Sequence, residues 1–127
     1  MTCEEWTMAS ADNALIAHRW LDAFNAHDVK ALVALYDESA THTSPKIRAL
    51  HPDTGGHITG HAALSSWWQG AIDRLPGLRY ELTAVTASEE RVFLEYVRHA
   101  DGEPPMPVAE VFDVRAGRIV ASRVYHG

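Results

Sequence analysis

The chain has almost no cysteine. Cys3 is the single one, which excludes an intramolecular disulfide framework and fits a reducing, cytoplasmic setting. It also lacks any apolar run long enough to span a bilayer. Glu4 and Glu5 lie near the start with no apolar stretch behind them, which argues against a secretory signal. Positive charge is scarce: 11 Lys and Arg stand against 17 Asp and Glu, for a formal net charge of -6. With no basic cluster, neither nucleic acid nor a membrane surface is an expected partner. No glycine-rich loop follows a strand, so the nucleotide phosphate fingerprint is missing. His57 and His61 have helical spacing, but Gly60 falls between them and no further ligand sits nearby. No metal and no cofactor is therefore expected. Cys3 has no paired base nearby in sequence and does not read as a nucleophile.

What is present describes an ordinary globular chain. Of its 127 residues 46% are hydrophobic and 22% charged, enough for one domain with a real core. Residues 1–11 read as a loose tail and 12–127 as the domain. Asp12 is placed to cap a helix reaching about Ala26, with Ile16, Ala17, Trp20, Leu21 and Phe24 as its apolar stripe. Asp28 can cap a second, short helix that buries Leu32, Leu35 and Tyr36. Ala40 to Ser44 reads as a short strand. The polar stretch from Pro45 to His57 is long for a plain connection and reads as a lid or binding loop. Its Lys46, Arg48 and His51 read as solvated charges, with contact to an anion as the alternative. A third helix runs from about Gly60 to Pro76, and its Trp67 and Trp68 belong to the apolar stripe.

Four strands follow. The last two flank Ala116-Gly117, a hairpin signal. A two-residue loop puts Glu110 opposite Arg123 on one apolar face; a bulge would slip the pairing by one and break that match. In the preceding hairpin, Glu81 against Arg98 marks an outward face. Tyr80, Leu82, Phe93, Val97, Glu95 and His99 are then left on the inner one. A second apolar row, with Val92, Leu94 and Tyr96 on one strand and Val111, Val120 and Val124 on others, predicts a homodimer through the sheet. Helices first and hairpin-joined strands after describe an α+β fold with a mainly antiparallel sheet. Curled round a long helix, such a sheet leaves a pocket at its open end. Trp20, Tyr36, Ser44 and Trp67 are expected to line it from the first half of the chain. Tyr80, Glu95, Phe112 and Tyr125 are expected to line it from the strands.

Three stretches carry a resemblance. They are Ala23-Phe-Asn-Ala-His-Asp-Val-Lys-Ala-Leu-Val-Ala-Leu-Tyr36, Gly60-His-Ala-Ala-Leu-Ser-Ser-Trp-Trp68 and Glu110-Val-Phe-Asp-Val-Arg-Ala-Gly-Arg-Ile-Val120. From about Asp12 to His126 the chain resembles the nuclear transport factor 2-like superfamily, nearest to its SnoaL-like polyketide cyclases and ketosteroid isomerases. The resemblance implies a cone-shaped fold, a curved sheet wrapped around three N-terminal helices and enclosing a pocket. It places Glu110 where ketosteroid isomerases carry an oxyanion-hole acid. Trp20 falls at their oxyanion tyrosine and Ser44 at their general-base aspartate, a role a serine does not fill. His99 and Glu110 match by type the histidine and acid of the SnoaL-like cyclases. Glu95, Arg123 and Glu110 resemble the limonene epoxide hydrolase set in charge alone.

The expected constellation is Glu110 with Arg123 opposite, His99 and Glu95 one strand over, and His42 with Ser44 at the pocket mouth. Glu110, His99, Arg123 and His42 carry the proposed acid–base chemistry, which needs a group titrating near working pH and a donor for developing negative charge. Two functions fit. One is a cofactor-free isomerase, cyclase or related lyase acting on a small hydrophobic carbonyl compound. The other is a non-catalytic ligand-binding or dimerisation module of the same fold.

Overall fold

The computed structural model describes residues 3–126, with side chains from Ala9 onward. The elements are α1 (Cys3–Asn25), α2 (Val29–Val33), β1 (Tyr36–Thr43), α3 (Pro45–Leu50), a 3-10 turn (Pro52–Thr54) and β2 (His57–Thr59). They continue with α4 (His61–Arg74), β3 (Arg79–Ala87), β4 (Arg91–His99), β5 (Met106–Arg115) and β6 (Arg118–His126). The strands form one sheet in the order β2-β1-β6-β5-β4-β3. Only β1 and β6 run parallel among these neighbours. The architecture is the expected α+β cone, a curved open sheet with helices packed on its inner face. Among the described residues no helix is long and apolar enough to cross a membrane.

The first helix begins earlier than its Asp12 cap signal suggested. Neither proline nor glycine occurs between Cys3 and Asn25, and alanines are frequent, so nothing interrupts the helix at Asp12. The tail expected over 1–11 is therefore helical from Cys3; Met1 and Thr2 lie outside the described residues. Beyond α1, His27 takes a left-handed backbone (φ 55°), and Asp28 then caps α2 by accepting from Ala31 N at 3.0 Å. Tyr36, expected in that helix, instead opens β1. Asn25 extends the edge of β3: its amide donates to Tyr80 O and accepts from Tyr80 N, both at 2.8 Å. The end of α1 is thereby fixed beside the strand that carries Tyr80.

The stretch from Pro45 to His57 is not an open loop. Ser44 caps α3, its Oγ accepting from Lys46 N at 3.2 Å, and proline at the first helical position suits the start of a helix. The 3-10 turn follows, and β2 then pairs with β1.

Two bulges decide which side chains face inward. The final hairpin turns through Ala116 and Gly117, both at positive φ (52° and 76°), as a two-residue loop requires. Arg115 pairs with Arg118 and Val114 with Ile119. The register then slips, leaving Val120 without a partner on β5. The slip lies where Ile119 also donates its N–H to Leu35 O at 2.9 Å. Beyond it Glu110 faces Val124, and Arg123 faces Val111. The Glu110–Arg123 pair expected from an unbroken hairpin therefore does not form. Arg123 lies on the outer face, where its guanidinium donates to both carboxylate oxygens of Asp113 at 2.7 and 3.2 Å.

The β3–β4 hairpin contains a second slip, at Thr83. Val85 faces Leu94 as expected, but Tyr80, not Glu81, faces Arg98. The buried face of β4 is Val92, Leu94, Tyr96 and Arg98, the opposite of the sequence expectation. Both rows are apolar enough to mislead. Choosing Phe93, Glu95 and Val97 would bury a carboxylate mid-strand, whereas the row chosen carries its charge, Arg98, at the strand end. Glu95 is consequently exposed. His99 sits outside, its Nε2 2.9 Å from Glu81 Oε1. Val92, Leu94 and Tyr96, which motivated pairing of two copies, belong to the core, and the exposed apolar residues of the outer face are Phe93 and Tyr125.

The core is an aromatic cluster between α1 and the sheet. Trp20 packs 5.3 Å from Phe112 and 5.7 Å from Phe24, Phe24 lies on Tyr80 at 3.9 Å, and Tyr80 on Tyr96 at 4.2 Å. Rings at these separations add to the burial of their area. They form the floor and one wall of the site.

Candidate functional site

A cavity of about 50 Å³ lies between α1, α4 and the sheet. Trp20 and Phe24 of α1, Trp67 and Trp68 of α4, and Tyr80 and Tyr96 of the sheet make it aromatic. Five groups able to carry charge also line it: His42, Lys46, Arg98, Glu110 and His126.

Glu110 is the deepest of these, 1% exposed. Its place on β5 between Leu94 and Val124 turns its side chain inward. Tyr96 donates its hydroxyl to Glu110 Oε1 at 2.8 Å. The other oxygen, Oε2, is buried and meets no hydrogen-bond partner among the described residues. A buried ionised carboxylate is strongly disfavoured, and burial pushes this one up to about 8; the Tyr96 hydrogen bond pulls the other way. Burial first, and then Glu110, also raise Tyr96 and Tyr80 above the usual phenol range, so both hydroxyls keep their protons.

His42 belongs to a buried chain of hydrogen bonds. Trp20 Nε1–H donates to Tyr36 Oη at 3.1 Å, and the Tyr36 hydroxyl donates to Ser122 Oγ at 3.1 Å. Ser122 Oγ lies 2.6 Å from His42 Nδ1. The indole can only donate, so the direction of the chain is set at Trp20. Tyr36 must accept and pass its single hydrogen to Ser122. Ser122 then has its own hydrogen to give, and Nδ1 of His42 is the one other partner its hydroxyl meets among the described residues, so Nδ1 accepts. In this arrangement Nε2 carries the imidazole hydrogen. Burial lowers His42 to about 4, so the ring is neutral at ordinary pH. It presents a neutral N–H donor, as a carbonyl oxygen requires. The pairing of His42 with Ser122 across β1 and β6 holds the chain together.

The sequence profile of the SnoaL-like domain matches residues 17–122. The chain belongs to the SnoaL-like domain family. Solved structures agree with this. A SnoaL-like protein of unknown function from Burkholderia thailandensis is 26% identical, with 92% of this chain and 95% of that one covered at a TM-score of 0.83. A protein from Xanthomonas campestris pv. campestris described as a candidate polyketide cyclase is also 26% identical, covering 94% and 93% at 0.75. An NTF2-like protein of unknown function from Cytophaga hutchinsonii, at 16% identity, 88% and 87% coverage and TM-score 0.70, shares the fold. Among curated proteins none matches this sequence.

In this SnoaL-like domain the structure brings together Glu110, His42, Trp20, Ser44, Trp67 and Tyr80 of the residues singled out from sequence. Tyr36 and Phe112 are wholly buried behind the cavity wall, Tyr36 as a link in the chain to His42. His99, Arg123, Glu95 and Tyr125 lie on the outer face, away from the site, because the two bulges and the inverted face of β4 carry them there. Sequence reading missed Tyr96, Arg98, Trp68 and Ser122. Tyr96 and Arg98 were assigned to the wrong face. Ser122 had no signal of its own, since only the parallel β1–β6 pairing sets it beside His42. Among the described residues no group of three His, Cys, Asp or Glu side chains is placed to hold a metal ion.

Proposed function

We propose that this SnoaL-like domain is a cofactor-free enzyme that moves a proton on a small hydrophobic carbonyl compound, in an isomerisation or ring closure. One observation carries the reading: Glu110 Oε2, a carboxyl oxygen buried in an aromatic cavity, has no hydrogen-bond partner among the described residues. Buried polar atoms are normally satisfied, and exceptions point to a ligand or a catalytic role.

The chemistry follows from the two groups opening on the cavity. Ionised Glu110 Oε2 takes a proton from the carbon beside a carbonyl. The C–H electron pair forms the carbon–carbon double bond of the enolate, and the carbonyl π pair moves onto oxygen, where the His42 Nε2–H donates as negative charge develops. Returning the proton to a different carbon completes an isomerisation. Alternatively, the enolate carbon attacks a second carbonyl and Glu110 protonates the new alkoxide, which closes a ring. A base with a pKa near 8 suits both taking up and returning a proton close to neutral pH. The aromatic walls hold an apolar body and exclude water.

The test needs no known substrate. Small ketones such as butanone are incubated with the protein in heavy water, and deuterium uptake at the α-carbon is followed by NMR. Catalysed uptake that falls on the order of a hundredfold in Glu110→Gln is expected. Uptake no faster than in buffer overturns the reading. Ketone binding without exchange would assign the fold here to a non-catalytic binding module.

A further inference from the structure

The mouth of the cavity is positive on a protein whose formal net charge is -6. Lys46 and Arg98 both line the cavity. Arg98 is 6% exposed, an unusual degree of burial for a guanidinium. Among the described residues its side chain donates one hydrogen bond, 3.0 Å to Glu103 Oε1, and Glu103 is itself largely in water. A guanidinium has five N–H donors in a planar fork, so most of its capacity is left for something else. Lys46 is half-buried, and no acidic side chain pairs with it among the described residues. The two cations lie close together. Both act on His126, whose imidazole is held below its ordinary value by burial and then by Lys46 and Arg98; both also help to hold Glu103 ionised. His42 and His126 add no positive charge near neutral pH, since each lies below its ordinary value. Near neutral pH Glu110 mostly holds its proton, so two cations against the one Glu103 carboxylate leave room for a single negative charge.

We infer that the ligand is a compact carbonyl compound bearing one carboxylate, with that carboxylate gripped at the mouth by Lys46 and Arg98 while its carbonyl reaches Glu110 in the aromatic interior. The placing of the carbonyl rests on the proton-transfer reading above; the grip on the anion does not. A carboxylate fits better than a phosphate dianion because the uncompensated charge is one and the cavity is small. The field of two cations in a low-dielectric mouth also concentrates such an anion against the repulsion of the acidic surface.

Pyruvate and its methyl ester test the grip. They share a skeleton and differ in the one negative charge, and binding is read by itself from the protein signals. Affinities come from titrations that follow the tryptophan indole N–H resonances in NMR spectra of the whole chain. Pyruvate should bind about tenfold or more tightly than the ester, the scale of a charged hydrogen bond, and added salt should narrow the gap. Lys46→Ala should shrink the preference and Lys46→Glu should abolish or invert it, while ester affinity stays the same. Arg98→Gln should act likewise; if burial makes that variant unstable, the Lys46 pair still decides. The inference is overturned if the ester binds as tightly as pyruvate, or if Lys46→Glu leaves the preference intact. It is also overturned if neither probe shifts an indole signal at roughly 10 mM, where even weak fragments register. A preference that survives while ketone exchange is absent would sink the proton-transfer reading alone.

Discussion

Tyr96 and Glu110, on neighbouring strands, meet at 2.8 Å through the tyrosine hydroxyl and Oε1. The contact satisfies one carboxyl oxygen and leaves the other buried without a partner among the described residues. It also sets the balance at Glu110, because a hydrogen bond to the charged form favours ionisation against the burial that opposes it.

Tyr96→Phe should therefore raise Glu110 above its wild-type value of about 8. The pH profile of α-deuterium exchange should move to higher pH, and exchange at pH 7 should fall several-fold. The lost hydrogen bond should also cost about 1–2 kcal/mol of stability, read from denaturant unfolding. A profile that stays in place would mean that the tyrosine does not control the acid.

Stability should depend on pH in opposite senses at the two buried groups. Between about pH 4.5 and about 8 native Glu110 keeps a proton that the unfolded chain has released, so its burial costs more stability as pH rises through that window. Native His42 stays neutral down to about 4 while the unfolded chain takes a proton near 6.5, so stability falls as pH drops across that range. Glu110→Gln should gain on the wild type by roughly 2–5 kcal/mol between pH 5 and pH 9. Thermal unfolding across this range checks it; a constant difference would show that Glu110 does not titrate abnormally.

Ser122→Ala should break the chain that orients His42. Long-range proton–nitrogen correlation spectra should show the wild-type imidazole hydrogen on Nε2 and loss of that preference in the variant. Exchange should slow about tenfold, since the oxyanion donor stays but is no longer held in place. A wild-type hydrogen on Nδ1 would contradict the direction read from Trp20.

Arg123→Ala should leave exchange unchanged within about twofold. Its partner Asp113 is on the outer face and is shared with Arg91 at 2.9 Å. The expected cost is roughly 0.5–1 kcal/mol, the scale of a partly exposed ion pair. A large loss of exchange would restore the unbroken hairpin register.

The fold was legible in the chain because its signals are local. Asp28 caps where its type and position suggested, Ala116-Gly117 turns the last hairpin, and the order of helices and strands fixes the class. The site was legible only in part. Glu110 lies inside, yet the partner read for it was wrong, because one unpaired residue, Val120, shifts Arg123 off its position and onto the other face. On β4 two apolar rows compete, and the choice falls on the row that spares Glu95 from burial and brings Tyr96 to Glu110. Ser122 becomes meaningful only through the parallel pairing of strands distant in sequence, which no local pattern encodes.

The most direct test of Glu110 as the proton-transfer group is its own titration. Carbon-13 NMR of side-chain carboxyls, with Glu110→Gln identifying the resonance, follows its ionisation in the absence of any substrate. A midpoint near 8, matching the pH dependence of α-deuterium exchange, is the expected result. A midpoint near the ordinary glutamate value of about 4.3, or exchange that rises at a pH unrelated to it, would contradict the assignment.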